Sequence, residues 1–310
     1  MTTPRSGPFR LAVATAIATW ILLVIGGLVN PMGASMACPD WYFVPTCNGE
    51  LLPEMTGGVL YEHGHRLWAS WVGLLTVVLA FTTWRAAAVD RGTKRLAWLA
   101  LFLVCFQGVL GGITVKLNLS SAVSTFHLAT AMVFFSLLVL LCFRLAPARG
   151  ELVASGGEGR TLIAVALVAV FVQVVMGGLV RHLGAGLICG DDIVGCGPAG
   201  WTKQPLAHLH MTHRFFAYAL APLVLLASRH AGRRAAATGN TLAARIAPWP
   251  AMLVLAQIGL GLATVASGRS PAIVTMHTGI GALVLASLWA SWLALGPLGL
   301  RITPRAGVAR

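Results

Sequence analysis

Eight stretches of this 310-residue chain are long and apolar enough to cross a bilayer, at about residues 11–30, 62–84, 96–115, 122–143, 161–181, 207–228, 248–266 and 272–295. A bilayer core about 30 Å thick needs roughly 20 mostly apolar residues in a helix rising about 1.5 Å per residue. Inside hydrocarbon each backbone N–H and C=O must find its partner within the protein, so such segments have to be helical. The intervening segments are loops too short to hold a separate soluble domain. Charged residues make up only 10% of the chain, against about 25% in soluble domains, which excludes a soluble globular protein and a disordered chain.

The net charge of +13 would suit a nucleic-acid partner if the basic residues formed a stripe, but they do not. Of the 22 Lys and Arg residues, 16 fall at the N-terminus, in the loops after spans two, four and six, and at the C-terminus. The opposite side holds Lys116, Arg181, Lys203 and Arg269, with Arg66 and Arg214 at helix mouths. By the positive-inside rule both termini are cytoplasmic, and the basic balance reports topology in a cell membrane, the inner one in bacteria, with no nucleic acid involved. Arg5, Arg10, the first apolar run and Ala34-Ser35-Met36-Ala37 resemble a signal peptide. The run is longer than the roughly 7–15 residues of such a signal, and its pattern recurs in mid-chain, so span one is expected to be retained.

The recurrence is a repeat. Gly26-Gly27-Leu28-Val29 returns as Gly177-Gly178-Leu179-Val180, Cys38 as Cys189, Cys47 as Cys196, Gln107 as Gln257, His65-Arg66 as His213-Arg214, and His127 as His277, all 148 to 151 residues apart. The expected fold is all-α: eight transmembrane helices built as a tandem repeat of two four-helix bundles. Residues 1–145 form the first half, 146–160 a cytoplasmic linker and 161–310 the second half. An even number of spans per unit gives both copies one orientation, about an axis along the membrane normal. The paired glycines suit close helix packing.

Ionisable groups inside spans are costly and usually functional. His65, His127, His213 and His277 each recur in the other half, near the outer ends of even-numbered spans. Two histidines on facing helices at similar depth clamp a flat metal macrocycle, since imidazole ligates iron and bundles project such ligands inward, so two heme sites toward the outer face are expected. His230 reads as a solvated cytoplasmic residue, His182 and His208 as loop or interface residues, and His63 as one position off the motif face. His208 and His210 sit close enough to His213 that the axial ligand could shift among the three.

The halves differ at one telling place. Glu62 and His65 stand at i and i+3 on one helix face, whereas His210 occupies the matching position before His213. A carboxylate beside a bound macrocycle can act as acid, base or charge stabiliser, which makes the first half the candidate for catalysis and the second for electron transfer. Glu62 also reads as a helix-terminal acid favoured by the dipole. Arg66 and Arg214 could pair with propionates or, equally, with lipid headgroups. Cys38 with Cys47 and Cys189 with Cys196 read as a disulfide in each outer loop, or as redox relays. Cys105 and Cys142 read as small buried hydrophobes.

Taken together, Gly26-Gly27-Leu28-Val29, Cys38-Pro39-Asp40-Trp41, Glu62-x-x-His65-Arg66, Gln107-Gly108-x-x-Gly111-Gly112, His127, Gly177-Gly178-Leu179-Val180-Arg181, His213-Arg214 and His277 resemble the heme A synthases, over about residues 10–295. The resemblance implies an enzyme that oxidises the C8 methyl group of heme O to the formyl group of heme A, through two hydroxylations and a geminal diol that loses water. It implies heme b at His213 and His277, the substrate heme at His65 and His127, a role in turnover for Glu62, and disulfides Cys38/Cys47 and Cys189/Cys196. It also implies heme O synthase and cytochrome oxidase assembly as partners, and leaves the electron-transfer partner and a homo-oligomer open. The farnesyl tail would sit in membrane lipid, with affinity of about 0.8 kcal/mol per buried CH₂, as the macrocycle docks between spans two and four. A non-catalytic diheme membrane cytochrome is the alternative. A heme or lipid transporter ranks third because it needs helices broken at the midplane, and the mid-spans are expected to run free of acid and proline.

Overall fold

The computed structural model describes residues 6–42, 44–147, 160–190, 192, 195–196 and 204–296. The helices are α1 (Ser6–Val29), α2 (Gly57–Arg85), α3 (Arg91–Lys116), α4 (Ser121–Leu145), α5 (Arg160–His182), α6 (Pro205–Ala237), a short α7 (Thr241–Ile246), α8 (Pro248–Ala266) and α9 (Pro271–Ala294). Eight of them are long and apolar enough to cross a membrane, α7 leading into α8 as one span. Among the described residues there is no strand, only one isolated antiparallel bridge between Cys47 and Glu50. Most of the linker expected at 146–160 lies outside the described residues.

Two helices begin on a polar side-chain cap. Asp90 precedes α3 and its carboxylate accepts from the Thr93 N–H at 2.9 Å. Asn240 does the same before α7, accepting from Ala243 N–H at 3.0 Å while its amide donates to the Ala294 carbonyl of α9 at 2.9 Å. Such caps satisfy donors that a helix start leaves unpaired. One expectation is corrected: Pro222 lies inside α6. The helix nevertheless continues through it, which neighbouring helices permit inside a membrane.

The helices pack as two rings. α1, α2, α3 and α4 each contact the next, with α4 closing on α1, and α5, α6, α8 and α9 do the same, with α9 closing on α5. α1 and α4 meet α9 and α5 along a central seam. Phe102, Val168, Trp84 and Leu255 are more than half exposed, as lipid-facing residues should be and as a soluble surface would rarely allow. The deepest cluster lies in and beside the seam, where Met132 and Phe135 pack with Ile163, Val224 and Leu285.

Small residues set the spacing of the seam. A Cβ on Gly27 would stand 3.4 Å from Thr278 of α9, and one on Gly178 would stand 2.9 Å from Leu128 of α4. Leu128 and Thr278 are themselves 150 residues apart, so both sides of the seam are built from positions that the sequence pairs. The turns before α4 and α9 also share a backbone hydrogen bond and its conformation. The Leu119 N–H donates to the Thr114 carbonyl and the Arg269 N–H to the Thr264 carbonyl, each at 2.8 Å. Both residues are left-handed, with φ of 62° and 67°.

Without a hydrophobic drive between helices in lipid, packing of this kind carries the association. Gly27→Leu and Gly178→Leu should each destabilise the protein by about 1–3 kcal/mol through overpacking. A Cβ on Gly73 would meet nothing within 4 Å, and Gly73→Ala should hold or raise stability. Thermal unfolding in detergent micelles reads all three, and equal behaviour of Gly27→Leu and Gly73→Ala would show that the seam does not depend on close approach.

Candidate functional site

The four repeated histidines stand at matching depths. His65 and His213 are the ninth residues of α2 and α6, and His127 and His277 the seventh of α4 and α9. Each imidazole rests against a glycine of the next helix in its ring. A Cβ would lie 2.8 Å from His65 Cε1 at Gly26, 3.6 Å from His127 Cε1 at Gly111, 3.0 Å from His213 Cε1 at Gly177 and 3.3 Å from His277 Cε1 at Gly261. The glycines do pack helices closely, and what they pack is the histidines. In each Gly-Gly pair of α1 and α5 the first glycine seats an imidazole and the second faces the seam.

Glutamines hold two of the rings. Gln257 lies 3.2 Å from His277 Nε2. Gln107, with its amide turned to satisfy its neighbours, donates to His127 Nδ1 at 3.0 Å and accepts from Ala131 N–H at 3.1 Å. Gln173 donates to the His213 carbonyl at 2.9 Å. The Nδ1 atoms of His65, His213 and His277 are buried without a protein partner. Among the described residues no three His, Cys, Asp or Glu side chains gather as a metal site. Paired imidazoles with an open nitrogen suit an iron that already has four ligands in a plane.

In the second ring this arrangement opens on a cavity of about 480 Å³, within the usual range of about 300–1,000 Å³ for small-molecule sites. His213 and His277 line it from α6 and α9, with Gln257 between them. Its depth is apolar, with Leu220, Val254 and Val284, and its other end carries Arg181, Arg214 and Arg269. His210 also lines it, but its Nε2 accepts from Arg214 Nε at 3.1 Å, while His208 is exposed. A flat, largely apolar cofactor with two axial positions and acidic groups at one edge fits these residues.

The first ring carries a different device at its mouth. Glu62 is 5% exposed. One carboxylate oxygen accepts from the Cys38 N–H at 2.9 Å and the other pairs with Arg66 at 2.8 Å. Arg66 donates further to the carbonyls of Asp40 and Thr46, both at 2.7 Å, and of Cys38 at 2.6 Å. The pair therefore binds the loop closed by the Cys38–Cys47 disulfide. His63, fully buried, adds a contact of 3.2 Å to the Leu51 carbonyl. In the second half Arg214 holds the loop closed by Cys189–Cys196, donating to the Asp192 carbonyl at 2.8 Å and the Gly195 carbonyl at 3.2 Å, with His210 where Glu62 would be. Sequence reasoning brought Glu62 to the face of His65. The hydrogen bonds that hold its carboxylate run instead to the loop and to Arg66.

Several residues carry roles that the sequence did not assign. Trp41 inserts against Gly112, where any Cβ would collide with the indole. Its neighbour Gly111 seats His127. Gln107 and Gln257 were visible as paired positions, without a signal for what they orient. His182 reaches Thr125 of α4 at 3.1 Å, an interface role as expected. Two readings are corrected: Cys105 is exposed rather than buried, because its helix face meets lipid, and His230 is half-buried rather than solvated.

The loop has a definite acid limit. Burial opposes ionisation of Asp40, but hydrogen bonds from Thr46 and from the Asn48 and Gly49 N–H groups outweigh it, holding the carboxyl below its usual value of 3.8. Its contribution to stability is therefore complete above that value and fades as the pH falls through the lowered one. Proteolysis of the loop at graded acid pH should show protection persisting below pH 3.8 in the wild type, and no such step in Asp40→Asn. Arg66→Ala should cost about 3–5 kcal/mol by leaving Glu62 buried and unpaired and should speed reduction of Cys38–Cys47. An unchanged reduction rate would deny that Arg66 holds the loop.

The family described as cytochrome oxidase assembly protein, COX15-CtaA, matches residues 9–289. Relatives named heme A synthase include one from Bacillus licheniformis, 29% identical over 72% of this chain and 75% of its own length. One from Halalkalibacterium halodurans is 27% identical over 88% and 92%, and one from Exiguobacterium is 27% identical over 83% of each.

Proposed function

Because the chain belongs to the COX15-CtaA family of cytochrome oxidase assembly proteins, we propose that it is a membrane oxidoreductase of heme A biosynthesis that converts the C8 methyl group of heme O into the formyl group of heme A. The observation that carries this reading is the pair of glycine-seated histidine couples, one in each ring, with the Nδ1 atoms of His65, His213 and His277 buried and without a protein partner. Two related four-helix units, residues 1–145 and 161–310, would each take one macrocycle. His213 and His277 are assigned to a resident heme b, and His65 and His127 to the substrate.

Heme b, when bound, supplies one-electron chemistry. The chain's own residues do the rest. Gln257 and Gln107 fix the orientation of the His277 and His127 rings, which would hold the macrocycle's iron. The apolar depth of the second cavity excludes water. Glu62 is the acid that this site offers for moving protons as the methyl group is oxidised. Its oxygens are bound to Cys38 N–H and Arg66, so it takes or gives a proton by exchanging one of those bonds. Proton movement is thereby tied to the position of the disulfide loop.

The charge distribution supports an orientation with both termini cytoplasmic and the histidines toward the outer face of a bacterial inner membrane. Heme O synthase as supplier and the oxidase under assembly as recipient are the partners this reading implies. A non-catalytic diheme cytochrome that carries electrons across the membrane would want hemes near both surfaces, and the matched helix positions of all four histidines favour a single depth.

Co-expression with a heme O synthase, followed by chromatography of extracted hemes, tests the activity. Heme A should appear, and heme O alone beside an intact heme b spectrum would select the diheme cytochrome. Glu62→Ala should abolish heme A while leaving the low-spin heme b spectrum. His213→Ala or His277→Ala should strip that spectrum, and its persistence in both would reassign the ligands.

A further inference from the structure

The cavity of the second ring has a chemical polarity that its histidines do not explain. Three arginines line it and, among the described residues, no carboxylate does. Arg214 holds the disulfide loop and His210. Among the described residues, neither Arg181 nor Arg269 makes a side-chain hydrogen bond to that loop. Arg181, at the end of α5, gives one terminal nitrogen to the Gly27 carbonyl of α1 at 2.9 Å, and its Nε is buried without a partner. Arg269, in the turn before α9, runs across Gly186, with its Cδ 3.0 Å from where a Cβ would stand. The buried Nε of Arg181, an unmet donor beside an apolar cavity, calls for an anion, since leaving it unmet costs free energy.

The matching positions in the first half are neutral. Gly26-Gly27-Leu28-Val29 continues into Asn30 where Gly177-Gly178-Leu179-Val180 continues into Arg181. The turn before α4 carries Leu119 where the congruent turn before α9 carries Arg269, with Ser120 and Ser270 next at φ −44° in both. Backbones that agree this closely make the difference one of side chains alone.

We propose that Arg181 and Arg269 form a carboxylate clamp that binds the acidic edge of the macrocycle in the second ring. The clamp retains that macrocycle as a resident cofactor, while the first ring, neutral at both positions, releases its own. This rests on the assignment of the second cavity to heme b and adds what distinguishes a retained macrocycle from one that must leave after reaction. Guanidinium to carboxylate hydrogen bonds are charge-assisted and directional, and among the stronger ones.

The experiment compares binding of protoheme with binding of its dimethyl ester, in which the acidic groups are blocked, to full-length protein purified in detergent without heme. The probe is titrated by absorbance and its release to apomyoglobin is timed. Wild type should bind the free acid at least about tenfold more tightly than the ester, equivalent to about 1.4 kcal/mol, and release it more slowly. Arg181→Gln/Arg269→Gln should lose that preference while binding the ester as wild type does, and Arg181→Lys/Arg269→Lys should recover part of it. A preference unchanged in the glutamine variant overturns the clamp, and so does an equal loss of both probes, which marks a structural role. Failure of wild type to bind either probe overturns the heme b assignment and the clamp with it, whereas binding without preference overturns the clamp alone.

Discussion

The rest of the structure depends on one constraint: an imidazole inside a bilayer must be seated without a water shell. Each of the four histidines meets it by resting against a glycine of the neighbouring helix. Lipid tails are as apolar as leucine, so helices in a membrane gain little by hiding side chains from their surroundings and associate through close packing instead. The glycines serve both needs. They let the helices approach, and they leave a groove in which the Cε1 edge of a ring can lie. A methyl group at Gly26 or Gly177 would press on His65 or His213 at 3.0 Å or less, so helix packing and the placement of the histidines cannot vary independently.

The two mouths show how one plan diverges. Both use an arginine, Arg66 or Arg214, to gather carbonyls of a disulfide-closed loop. Arg66 has Glu62 as a partner and Arg214 has His210. Glu62 makes the first mouth a buried ion pair, tied to the loop through both partners, so that breaking it leaves two charges without their counter-ion, a costly event. His210 gives the second mouth a neutral acceptor instead.

The spans were legible because hydropathy alone identifies them, and all eight appear within a few residues of their apolar cores. Their ends were less legible: α6 runs on to Ala237, well past the stretch ending near 228, because Arg229, Arg233 and Arg234 are good helix formers that a hydropathy reading discards. Pro222 shows the converse, a breaker overruled by tertiary surroundings. The site residues were legible through repetition. His65, His127, His213 and His277 stand out because each has a copy, and the same test raised Gln107 and Gln257 without saying what they orient. Glu62 was found through an asymmetry between copies, yet its bonds to Cys38 and Arg66 depend on a loop path that spacing does not encode. Trp41 was missed for the same reason: nothing local says that residue 41 reaches residue 112.

Leu119 and Arg269 sharpen the question of why a turn keeps a side chain that its backbone disfavours. Both sit at left-handed φ, where glycine would cost less. Each is preceded by another left-handed residue, Asn118 or Gly268, so two consecutive positions carry positive φ in both turns. Glycine appears at only one of these four positions. If the turn served connection alone, glycine would be the cheaper choice at 119 and 269. The residue retained before α9 is instead a long cation lying along the wall of the cavity, and the one before α4 is apolar. The turn is thus a fixed mount on which the two halves carry different chemistry, and changing that chemistry asks nothing of the fold.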